Sequence, residues 1–144
     1  MGIEKPKKKF NAPLVLDLLE GAYLLEEGKI EVFDGERKIG LEELLKVGRE
    51  KVQHFDEKYA VYRDLRKRGF VVLPGIKYGA DFSGYERGPG LEHAPFLVRV
   101  LKKEGNLTAE DVISFGRLAT SVRKKAVFAL VNGKIEYVGL EWRP

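Results

Sequence analysis

A chain of 144 residues, 44% hydrophobic and 33% charged, is long enough to bury a core as one domain or as two small lobes, and it lacks the long polar tracts of a disordered protein. The absence of cysteine removes disulfides, thiolate metal sites and cysteine nucleophiles, and no apolar run reaches the length of a membrane span or a signal-peptide core, so a cytoplasmic protein is expected. The net charge of +4 is unevenly spread: residues 1–57 hold 10 Lys/Arg against 13 Asp/Glu, net −3, and residues 58–144 hold 16 against 9, net +7.

A positive field gathered in the second lobe suits a polyanionic partner, although an evenly solvated basic surface would account for the same counts. Abundant Lys and Glu with a single Met is the composition expected of a thermophile. In chain order, residues 1–10 carry four lysines and read as a basic tail. The segment APLVLDLLEGAYLLEEGKI sets Leu14, Leu16, Leu18, Leu19, Tyr23 and Leu24 near one helical stripe, with Gly28 as the stop. IEVFDGERKIG predicts two short strands around Asp34-Gly35, and LEELLKVGREKVQHF predicts a second helix from positions 41, 44, 45, 48, 52 and 55. His54 falls near the end of that helix and is assigned no chemistry. This closes an N-terminal lobe over residues 11–57.

Residues 58–144 then read as a second, mixed-sheet domain with flanking helices, giving an α/β (α+β) chain. YAVYRDLRKRG is a helix with Tyr59, Val61, Tyr62 and Leu65 inward, ending at Gly69. FVVLPGIKYGADF gives two extended segments interrupted by Pro74-Gly75, and FLVRVL is a strand. Thr108 and Asp111 fit a capping box that opens a helix running toward Arg123, and AVFALV with IEYVGLEW forms a hairpin through Asn132-Gly133. If the helix continues far enough, Arg117, Ser121 and Lys124 share a polar stripe opposite Val112, Phe115, Leu118 and Ala119.

The loop DFSGYERGPGLEHAPF contains His93, one of two histidines in the chain, and Tyr85 eight residues before it. With Lys124 they supply a phenol, an imidazole and an ammonium, and no convergent acids or histidines to hold a metal. One reaction this set suits is cleavage of RNA by its own 2′-hydroxyl, which needs a base, an acid for the leaving 5′-oxygen and a cation for the phosphorane charge. Histidine, with an ordinary pKa of about 6.5, suits the acid role, and tyrosine at about 10 needs a neighbouring cation to act as base. The same residues would equally serve packing and a solvated loop.

Four runs, YRDLRKRGFVV, GIKYGADFSGYERG, EHAPFLVRV and RLATSVRKKAVFALV, closely resemble in order and spacing the catalytic domain of archaeal tRNA-splicing (tRNA-intron) endonucleases, over about residues 59–141. GAYLLEEGKIEV with the helix after it resembles the end of that family's N-terminal domain, and a short lobe without the early strands of many members is expected. The resemblance implies metal- and cofactor-independent cleavage of precursor tRNA at a bulge-helix-bulge, with 2′,3′-cyclic phosphate and 5′-hydroxyl ends. It implies Tyr85 as general base, His93 as general acid, Lys124 as transition-state cation, Arg117 as a base-gripping arginine and, more loosely, Arg143 as a second. Gly84, Gly88, Pro89 and Gly90 are then expected to let the chain turn sharply between two strands. A non-catalytic RNA-binding or structural subunit is the alternative, and a metal-dependent nuclease with Asp81 and Glu92 as ligands is a further one.

The family's loop between the strand after the histidine and the next helix is typically acidic and inserts into a basic cleft on a neighbouring dimer. Here VLKKEGNLT carries Lys102 and Lys103 against Glu104, so a heterotetramer with a structural subunit is expected over a homotetramer, which stays possible.

Overall fold

The computed structural model describes residues 16–86, 95–102 and 107–141, and the chain divides into two compact units at Val47/Gly48. In the first, helix α1 (Leu18–Glu26) begins at Asp17, whose carboxylate accepts from the Glu20 amide at 2.8 Å. It ends on Gly28 at φ 71°, with the Lys29 amide donating to the Leu24 carbonyl at 2.8 Å and the Gly28 amide to Leu25 at 3.1 Å, a Schellman closure. Strands β1 (Val32–Asp34) and β2 (Arg37–Ile39) pair antiparallel around Gly35. Arg37 clamps Glu43 through two 2.8 Å hydrogen bonds, tying the hairpin to helix α2 (Leu41–Lys51). Leu14 and the basic tail lie outside the described residues.

The predicted second and third helices are both present, with the boundary between them earlier than read. α2 stops at Lys51, and α3 (Phe55–Lys67) starts after His54, which stands in the left-handed region at φ 56° and breaks the helical path. Phe55, read as the end of α2, opens α3, and its ring passes over Gly48, where a Cβ would collide with it. As expected, Tyr59, Val61, Tyr62 and Leu65 are buried.

In the second unit, β3 (Phe70–Pro74), β4 (Phe82–Glu86), β5 (Phe96–Lys102), β6 (Lys125–Asn132) and β7 (Lys134–Leu140) form one sheet in sequential order. All neighbours are antiparallel except β5 and β6, which are parallel because α4 (Ala109–Ser121) carries the chain back between them. Residues between β3 and β4, read as extended, instead form a turn with a 3-10 segment, Ile76–Tyr78. Ala80 from this turn packs with Leu97, Phe115, Ala119, Ala126 and Phe128 into the core between α4 and the sheet, and the Phe115 and Phe128 rings meet at 5.1 Å. On the opposite face Tyr62 of α3 packs against Phe82 of β4.

Lys102, read as a loop residue, is the last residue of β5 and pairs with Glu57 of α3 at 3.2 Å. No helix of the described residues is long and apolar enough to cross a membrane.

Candidate active site

Strand register decides which side chains meet. Leu97 of β5 faces α4, its partners across the sheet are Ser83 of β4 and Ala126 of β6, and partners in a ladder share a face. Tyr85, two residues beyond Ser83, therefore lies on the α4 face, and it is 44% exposed. Lys124, two residues before Ala126, lies on that face too, and Lys125 is turned to the other. Gly84, Phe96 and Lys125 are successive partners across β4, β5 and β6, so the end of β4 and the starts of β5 and β6 form one edge of the sheet.

Gly84 is not a turn residue. It sits inside β4 between two partners, Val72 and Phe96, and a Cβ there would stand 2.6 Å from the Phe96 ring and 2.9 Å from the Val71 carbonyl oxygen. Its missing side chain lets Phe96 lie against β4, where the ring meets Phe70 edge-on at 5.2 Å. Gly88, Pro89, Gly90, Glu92 and His93 lie outside the described residues, as do Trp142 and Arg143. The chain resumes at Pro95, whose carbonyl accepts from the Lys125 amide at 2.8 Å.

Lys124 is not on the α4 stripe. The capping box forms as expected, Thr108 Oγ1 accepting from the Asp111 amide at 3.1 Å and Asp111 Oδ2 from the Thr108 amide at 3.2 Å, but the helix ends at Ser121. The Lys124 amide donates to the Ala119 carbonyl at 2.8 Å and the Arg123 amide to Thr120 at 3.0 Å, a Schellman closure with arginine in the position usually held by glycine. Arg123 stands at φ 58°. The closure turns Lys124 back over the sheet, with Nζ 5.2 Å from the centroid of the Tyr78 ring. Arg117 and Ser121 remain exposed on the helix, and the Ser121 hydroxyl donates to the Leu118 carbonyl at 2.6 Å.

Asp81 is committed elsewhere. One carboxylate oxygen accepts from the Val100 amide at 2.7 Å and the other pairs with Lys58 at 3.3 Å, so this acid braces α3, the turn and β5. Among the described residues no three His, Asp or Glu side chains gather as metal ligands. Sequence reasoning passed over Tyr78, since its motif, KYG, reads as the start of a strand and nothing in it tells that the ring folds back toward Lys124.

An α+β chain with a helix–hairpin–helix unit ahead of a five-stranded mixed sheet, and with tyrosine and lysine on one edge of that sheet, defines a class that comparison makes specific. Residues 55–137 match the tRNA intron endonuclease catalytic C-terminal domain, and residues 5–45 match the tRNA intron endonuclease N-terminal domain. Proteins described as tRNA-splicing endonuclease from Sulfurisphaera tokodaii, Hyperthermus butylicus and Saccharolobus islandicus are 42%, 46% and 43% identical to it, each over 99% of this chain and 81–82% of their own length. The chain belongs to the tRNA-splicing endonuclease family.

Proposed function

We propose that this chain is a catalytic subunit that excises introns from precursor tRNA at bulge-helix-bulge junctions, leaving 2′,3′-cyclic phosphate and 5′-hydroxyl ends without a metal. Tyr85 removes the proton from the 2′-hydroxyl, His93 protonates the departing 5′-oxygen and Lys124 stabilises the charge on the phosphorane. Arg117 and Arg143 hold an unpaired base of the bulge by stacking.

The observation that carries the reading is the common edge of the sheet. Tyr85 and Lys124 point to one face there, and the Pro95 carbonyl is bonded to the amide next to Lys124. His93 is two positions before Pro95 in the chain. The family membership supports the substrate, and the net charge of +7 over residues 58–144 supports a polyanion.

The test is cleavage of a bulged precursor tRNA in excess chelator by the full chain, alone and with candidate partners. Cyclic phosphate ends and a loss of roughly 10²- to 10⁴-fold in His93→Ala, with RNA affinity kept, are expected. Dependence on a divalent cation, or normal turnover by His93→Ala, removes the mechanism. Bound but uncut RNA in every combination makes the chain a structural subunit.

A further inference from the structure

We propose that Tyr78 is a positioning residue for Lys124, its ring face holding the ammonium group on the α4 face of the sheet, the face that Tyr85 also occupies. The proposal rests on the reading of Lys124 as the transition-state cation. A lysine side chain has four rotatable bonds, and ordering it ahead of the reaction removes an entropy cost from the chemical step. Backbone closure fixes where Lys124 starts, through the bond from its amide to Ala119, but leaves the ammonium group undetermined. The Tyr78 ring, 5.2 Å from Nζ, supplies the missing constraint.

Tyr78 is itself held rigidly enough to do so. Its amide donates to the Gly75 carbonyl at 2.9 Å, and the next carbonyl, that of Gly79, accepts from Arg99 Nε at 3.0 Å. Arg99 in turn lies over the buried Phe115 ring at 4.4 Å, which anchors the turn to the core of α4. The Tyr78 ring is half-buried and packs against the core cluster that includes Leu97, Phe115 and Phe128. Lys77 Nζ stands 5.0 Å from the same ring, which thus has two ammonium groups beside it. A ring that is half core and half cation support gives a defined position to a group that solvent would otherwise leave free.

The experiment compares Tyr78→Phe, Tyr78→Leu, Lys124→Ala and the double variant Tyr78→Leu/Lys124→Ala on a bulged RNA, with single-turnover rate and KM measured separately. Tyr78→Phe keeps the ring and is expected within twofold of the parent rate. Tyr78→Leu is expected to lose about 3- to 10-fold in rate with KM unchanged, and to cost nothing further once Lys124 is gone. Pentafluorophenylalanine at position 78, which keeps the ring's shape and reverses its quadrupole, should match Tyr78→Leu and keeps the test open if the leucine variant does not fold. An upfield ring-current shift of the Lys124 ε-methylene protons, present in the parent and Tyr78→Phe and absent in Tyr78→Leu, reads the geometry without activity. Additive losses in the double variant, or a parent-like rate with the fluorinated ring, overturn the positioning role while Lys124→Ala stays slow. Normal cleavage by Lys124→Ala instead overturns the reading of Lys124, and the catalytic use of Tyr78 with it.

Discussion

At the scale of single residues the decisive pair is Lys124 and Lys125, adjacent in sequence and opposed in space. Lys124 shares the α4 face with Tyr85, whereas Lys125 opens β6 on the other face and spends its amide on Pro95. Lys124→Ala is therefore expected to lower the single-turnover rate about 10²-fold or more, and Lys125→Ala to leave it within about threefold, since only a preorganised charge at the reacting phosphate acts at full strength. A larger loss in Lys125→Ala would move the cation to the opposite face. Arg123 gives a second prediction. Its left-handed φ of 58° costs about 1–2 kcal/mol for a residue with a Cβ, and glycine would relieve this while losing about 0.5–1 kcal/mol through its freer unfolded chain. Arg123→Gly is thus expected to stabilise the second unit by about 0.5–1 kcal/mol in denaturant unfolding. Equal or lower stability would mean that the arginine side chain makes up for its backbone.

At the scale of elements, what the sequence made legible depended on whether a local signal and the fold agreed. The capping box of α4, the hairpin at Gly133 and the inward stripe of α3 all follow local rules, and all are present. The end of α4 was hidden because Arg123 takes the role that Gly28 plays after α1, so the pattern ran on to Lys124. Gly84 misled in the opposite way: it looks like a turn signal but serves the close approach of Phe96, a contact between strands that periodicity along one strand does not encode. Gly84→Ala is expected to cost about 1–3 kcal/mol by overpacking, because the added carbon meets a backbone carbonyl as well as a ring. An unchanged unfolding midpoint would show that β4 and β5 separate freely. Joining α3 to β7, the Tyr137 hydroxyl donates to Asp64 at 2.6 Å, and Arg68 donates to the same oxygen at 2.8 Å. Burial first, then the bond to the Asp64 carboxylate, hold the Tyr137 phenol well above its ordinary range. The fold favours the neutral phenol, so this contribution is complete below about pH 10 and declines as the unfolded chain ionises above it. The melting-temperature advantage of the parent over Tyr137→Phe should hold from pH 7 to 9 and shrink toward pH 11. A gap that widens instead would mean that the folded state ionises first.

At the scale of the whole molecule, charge and assembly are linked. Moving the boundary from residue 57 to the structural division at Val47/Gly48 leaves 8 Lys/Arg against 10 Asp/Glu in the first unit, net −2, and 18 against 12 in the second, net +6. The basic character therefore belongs to the unit with the sheet wherever the line is drawn, which agrees with RNA as the partner of that unit. Lys102 is paired with Glu57 at the end of β5 and does not belong to the loop, which leaves Lys103 and Glu104 as opposite charges between β5 and Leu107. Repulsion from a basic cleft is thereby reduced to a lack of attraction, since a loop of zero net charge gives a cationic cleft little to hold. A heterotetramer is still expected on this weaker ground, with a second, structural subunit supplying the acidic loop and this chain as the proposed catalytic subunit. Light scattering of the purified chain is expected to show a species smaller than a tetramer, and adding a structural subunit with an acidic loop at that position should bring both the tetramer and cleavage. Changing Lys103 to Glu should shift the chain toward self-assembly, because it turns the loop from neutral to net −2. A stable, RNA-cleaving homotetramer of the unaltered chain would sink the idea.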